Sequence, residues 1–156
     1  MKRRVAVAAF IAFGAAPVVV FSQTLSKAWR IGYLSIAAGP NLNVEAFRGQ
    51  LRTLGYIEGR NLSIEFRWAA GKPERLSELA AELVLLDVDV IVTSGTQAAV
   101  AAKRATAIVS IPVVMAAVSD PVNTGLVASL ARPGGNITGS TDLTNELVGK
   151  QLQVLH

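Results

Sequence analysis

The chain has 156 residues, 51% of them hydrophobic, with 15 Lys+Arg against 11 Asp+Glu and no cysteine. Its formal charge of +4 is not a nucleic-acid footprint. Lys2, Arg3 and Arg4 supply most of the excess, and residues 23–156 carry 12 basic against 11 acidic side chains, the basic ones dispersed and forming no stripe with interleaved aromatics. The lack of cysteine excludes a disulfide framework, a thiolate zinc site, a lipidated N-terminal cysteine and thiol catalysis.

The N-terminus reads as an address. A basic stretch (residues 1–4) precedes an apolar run (residues 5–20) broken by Gly14 and Pro17. That run is shorter than the roughly 20 residues a spanning helix needs, and small Ser22 follows it. Residues 1–22 are therefore predicted to be a cleavable signal peptide and residues 23–29 a linker, with the rest exported and soluble in the periplasm. An uncleaved anchor is the alternative.

From residue 30 the pattern alternates regularly. Residues 30–35 (RIGYLS) predict a first strand, followed by a loop at Gly39, Pro40 and Asn41. Val44, Phe47, Leu51 and Leu54 recur at helical spacing until Gly55 stops them, and Gly59 sits in the next turn. Residues 62–68 (LSIEFRW) alternate apolar and polar, as a half-buried or edge strand does. Pro73 suits a first helical turn, and Leu76, Leu79, Ala80, Leu83 and Leu86 mark that helix's buried face.

Residues 88–93 and 111–118 are short, β-branched and almost wholly apolar, the signature of strands covered on both faces of a parallel sheet. An Ala-rich helix is predicted between them over residues 96–106, and a further short helix over residues 122–130, ended by Arg132, Pro133, Gly134 and Gly135. Residues 136–141 predict a fifth strand, and Thr144 a cap for a last helix in which Leu147, Leu152 and Leu155 are still in phase at the end of the sequence. The fold class is α/β: a doubly wound open parallel sheet of about five strands. One lobe is expected over residues 30–142, with residues 143–156 beginning a crossover to a second lobe that the sequence does not contain.

In open α/β sheets ligands lie beyond the carboxyl ends of the strands. The candidate residues there are Ser35 with Asn41 and Asn43, the turn Ser94, Gly95, Thr96 and Gln97, then Ser119, Asp120 and Pro121, and finally Gly139, Ser140, Thr141 and Asp142. In the Ser94–Gln97 turn, Gly95 permits a tight bend and Thr96 can cap the following helix, whose free N–H groups suit a carboxylate. Ordinary capping without a ligand weighs equally there. Asp120 can cap a helix or accept from a ligand ammonium. Other chemistry has little support. No phosphate-loop motif occurs, and His156, the only histidine, is the last residue. Asp87 and Asp89 mark the entry to a strand, Trp29 and Trp68 are expected to pack, with a place near the cleft as the alternative for either, and no cofactor or metal is predicted.

The blocks LGYIEGRNLSIEFRWAAG (residues 54–71) and DPVNTGLVASLARPGGNITG (residues 120–139) resemble ABC transporter substrate-binding proteins. The branch is the one related to tryptophan/tyrosine uptake receptors, with the type I periplasmic-binding fold. The resemblance extends from Arg30 to His156. It implies a two-lobed clamp that binds a small metabolite, an amino acid or similar, and delivers it to an inner-membrane ABC permease, without enzymatic activity. It assigns Ser94, Gly95, Thr96 and the Gln97 backbone to a ligand carboxylate, and Asp120 to a ligand amine. Thr141 and Asp142 fall near the crossover, and Ser35 closes the pocket side. The alternatives are a flavodoxin-like or Rossmann-like nucleotide-binding enzyme domain and a gene fragment without independent function.

Overall fold

A computed structural model of the chain describes residues 27–141. Five parallel strands form one sheet, in the order β2-β1-β3-β4-β5: β1 Trp29–Ser35, β2 Leu62–Trp68, β3 Val90–Ser94, β4 Val113–Val118 and β5 Ile137–Thr141. Three helices connect them, α1 Leu42–Thr53, α2 Leu76–Leu85 and α3 Thr96–Ala105, with a short 3-10 turn at Pro73–Arg75 ahead of α2. The predicted strands are all present; β2 has the predicted bounds, and the other four start one or two residues away from the predicted position. β2 is the edge strand its alternation implied.

The sheet separates two apolar layers. On one face Leu34, Ile91, Val113 and Met115 pack against Leu76, Leu79 and Leu83 of α2 and the alanines of α3. On the other, Ile31, Tyr33, Leu62 and Val92 pack against α1 through Val44, with Phe47, Phe66 and Trp68 beside them. Alternation along each strand delivers every second side chain to each layer. Asn41 caps α1, its side-chain oxygen accepting from Asn43 N–H at 3.1 Å and Val44 N–H at 3.2 Å. Gly55, at φ +87°, turns the chain after α1.

The N-terminal edge of the sheet is closed by charge. Asp89, just before β3, accepts from Arg30 N–H at 2.8 Å and pairs with Lys27 at 2.6 Å. The Lys27 hydrogen bond, helped by the Arg30 N–H, holds its carboxyl below the ordinary aspartate range. Asp87 lies at this edge as well, at φ +51°.

The helix expected over residues 122–130 does not form. The chain turns instead, with Thr124 N–H bonded to Asp120 O and Leu126 N–H to Pro121 O at 2.9 Å. Three local features defeat the apolar periodicity. Gly125 sits at φ +70°. Asp120 and Asn123 satisfy each other, the Asp120 carboxylate accepting from Asn123 N–H at 3.1 Å and from its amide at 2.6 Å. Lys103 of α3 donates to Gly125 O and to Leu126 O, tying the turn to α3. Leu126 and Val127 are buried all the same. The hydrophobic pattern reported burial without reporting a helix.

At the far edge, β5 lies so close to β4 that a Cβ at Gly139 would stand 2.0 Å from Met115 O. Gly139→Ala is therefore expected to cost at least about 2 kcal/mol. Gly32→Ala is expected to cost about half that, because it meets only the Leu83 methyls at 3.0 Å. Urea unfolding of the two variants measures the difference. The turn at Asp120 has its own signature. The Asn123 side chain, then its N–H, lowers the Asp120 pKa, so these hydrogen bonds stabilise the turn above the pH where unfolded aspartate titrates, about 3.9. They are lost as pH falls through the lower folded value. An NMR titration should place the Asp120 midpoint below the ordinary range, and Asn123→Ala, which removes the side-chain donor and keeps the N–H, should move it part of the way back.

Candidate functional site

The strand order sets the site. The chain passes from β1 outward to β2 and then returns across β1 to β3, so the connections leave β1 and β3 on opposite faces of the sheet. A crevice forms where they diverge, at the carboxyl ends of those two strands. Register fills it. Trp68, Ser35, Ser94 and Ala116 are consecutive partners across β2, β1, β3 and β4, one row of side chains on the α1 side. Ser35 and Ser94, the last residues of β1 and β3, are direct neighbours.

Gly95 makes the next step. Its φ of +90° and ψ of 161° bend the chain from β3 directly into α3, while its N–H remains bonded to Ala116 O at 3.0 Å. Gly95 is thus the N-cap, and Thr96, expected to cap, is the first helical residue. With Gly95 at the N-cap, the Thr96 hydroxyl does not cap the helix and accepts from Ser119 N–H at 3.2 Å. No side chain caps α3. The N–H groups of Thr96, Gln97 and Ala98 open its first turn, where the helix dipole is positive. Gln97 is exposed and Ser94 half-buried.

Ser35 is 4% exposed, and its hydroxyl accepts from Ala37 N–H at 3.2 Å. It shapes the loop beside the crevice. Pairing continues past β1 and β2 into their loops, with Ala69 N–H to Ser35 O at 2.9 Å, Ala70 N–H to Ala37 O at 3.0 Å and Gly71 N–H to Ile36 O at 2.7 Å. Asp120 is exposed at the end of β4, and its carboxylate is held ionised by Asn123. Thr141 ends β5 opposite Val118, two strands from Ser94 and roughly 10 Å away along the edge. Asp142 lies outside the described residues.

Backbone strain concentrates at this edge. Four of the described non-glycine residues have positive φ, and three of them, Ala70, Ala117 and Asp120, belong to the loops or strand ends here. Each costs about 1 kcal/mol relative to the right-handed conformation, and such costs gather at binding sites. By sequence Trp68 is expected to pack, with a place near the cleft left open for it and for Trp29. Only the β1–β2 register places it in the row with Ser35 and Ser94. Surface hollows lie elsewhere, one of about 480 Å³ lined by Glu45, Arg48 and Tyr56 between α1 and β2 and one of about 700 Å³ lined by Lys103, Thr106 and Asn136 beside α3.

A family model described as ABC transporter substrate binding protein matches residues 35–155. A tyrosine-binding protein of Clostridioides difficile (strain R20291) is 37% identical over 119 residues, 74% of this chain and 34% of that protein. An ABC domain in complex with L-Trp from Streptococcus pneumonia is 31% identical with a TM-score of 0.67, over 74% of this chain and 39% of that one. A conserved domain protein from Vibrio cholerae is 33% identical with a TM-score of 0.69, over 78% and 43%. The chain spans 34% to 43% of the length of these relatives. No helix among the described residues is long and apolar enough to cross a membrane. The five-stranded parallel lobe is that of the type I periplasmic-binding fold, and the chain belongs to the ABC transporter substrate-binding protein family.

Proposed function

We propose that this chain provides one wall of the binding site of a periplasmic solute receptor, which takes up an amino acid and hands it to an ABC permease of the inner membrane. The observation that carries the reading is the uncapped start of α3 set at the β1–β3 crevice by Gly95. A ligand carboxylate accepts from the Thr96–Ala98 N–H groups and from the Ser94 hydroxyl, each bond charge-assisted. The exposed, ionised Asp120 stands across the Ser119–Thr96 link, on the side where the ligand ammonium is attracted. Thr141 and Asp142 continue the edge toward the crossover, and residues 1–22 direct export. The tyrosine and L-Trp of the relatives' names support an amino-acid ligand.

Affinity scales with the contacts made. A receptor binding at about 1 μM gains roughly 8 kcal/mol, and one wall with half of that binds at about millimolar. L-Tryptophan at ten times its Kd is therefore expected to raise the Tm of the 156-residue chain by about 5 °C, while tryptamine, which lacks the carboxylate, gives no shift. Gly95→Val forces a side chain onto φ +90°. It is expected to weaken binding more than tenfold while costing about 3 kcal/mol of stability. A thermal-shift screen across amino acids in which no compound stabilises the chain contradicts the reading.

A further inference from the structure

We infer that Trp68 is a specificity-determining residue of this site, presenting the ring against which the side chain of an aromatic amino acid stacks. The inference rests on the amino-acid reading above and adds the residue that selects among amino acids. Three observations converge on it.

The first is position. Trp68 ends β2, pairs with Ser35 and shares a row and face with Ser94. Two strand spacings put it roughly 10 Å from Ser94. That is too far for the carboxylate and amine of a ligand anchored at α3, and within reach of a side chain that carries a ring. From Asp120 through α3 and Ser35 to Trp68, the edge passes from anionic to hydrogen-bonding to aromatic, the order of an amino acid's own groups.

The second is the ring's support. Trp68 stacks on Phe66 with centroids 5.5 Å apart and planes 6° from parallel, and it meets Tyr33 at 5.5 Å and 49°. Arg48 lies over Phe66 at 4.7 Å. Trp68 is the end of a column of rings running along β2 to the ligand edge, and a further ring extends the column in the offset geometry aromatic pairs favour.

The third is rigidity. An edge strand ordinarily frays at its last residue, but the three hydrogen bonds from Ala69, Ala70 and Gly71 to the β1 loop continue the pairing past Trp68. Ala70 is held at φ +53° to make them. The indole is fixed before ligand arrives, so stacking on it costs little further ordering.

The test is equilibrium binding of L-tyrosine, L-tryptophan and L-leucine by ligand-observed NMR, which reads millimolar affinities. The proteins are the 156-residue chain, its Trp68→Phe and Trp68→Leu variants, and Gly95→Val. Trp68→Leu should bind both aromatic amino acids about tenfold more weakly and leucine within about twofold of the unsubstituted chain, so the aromatic preference collapses. Trp68→Phe should keep most of that preference, which separates stacking from a general loss of packing. Equal weakening toward all three ligands, or unchanged aromatic affinity in Trp68→Leu while Gly95→Val loses binding, overturns the role of Trp68 and leaves the amino-acid reading intact. Absence of binding by the unsubstituted chain overturns both.

Discussion

Strand β1 carries hydrogen-bonded neighbours on both sides, β2 through the Trp29–Leu62 to Ser35–Trp68 register and β3 through Ile31–Val90 to Ser35–Ser94. Because β2 precedes β3 in the chain but lies on the other side of β1, the helices between them must leave the sheet on opposite faces. That reversal opens a crevice at one edge and nowhere else along β1. It also aligns the last residue of each of three strands in a single row. The two apolar layers, the position of α3 and the grouping of Trp68, Ser35 and Ser94 all follow from this pairing. A slip of one residue would turn the row to the other face.

The edge so formed is held with care. Gly95 bends the chain where a side chain would be strained, the Thr96 hydroxyl reaches across to the β4 loop, and the β1 and β2 loops are laced to each other. Three non-glycine residues accept left-handed conformations nearby. The opposite edge is different in kind. There Asp89 pairs with Lys27 and accepts from the Arg30 backbone N–H, a local closure. The two edges are thus asymmetric: one is closed by its own charges, and the other leaves a helix start without a side-chain cap.

Much of the fold was legible in the sequence because its signals were local. The β-branched runs at β3 and β4, the alternation of β2 and the stop at Gly55 each depend on residues adjacent in the chain. Where the reading failed, the deciding interaction was specific or distant. Residues 122–130 have apolar spacing that suits a helix, yet the Asp120–Asn123 pairing, Gly125 and the Lys103 tether won. Thr96 looked like a cap because its chemistry allows it, while the conformation of Gly95 made that unnecessary. Gly139 carried no motif, and its need for a bare Cα arises only from the approach of Met115. Trp68 was indistinguishable from a packing residue until register joined it to Ser35, since register is a property of two strands and not of either one.

If ligand meets this lobe at the edge where β1 and β3 diverge, as proposed, the backbone amide shifts on addition of L-tryptophan concentrate at residues 94–98, with further changes at residues 35–37, 68–71 and 117–122. Shifts concentrated instead around Glu45, Arg48 and Tyr56, in the hollow between α1 and β2, or at the Asp89 edge, would contradict that proposal.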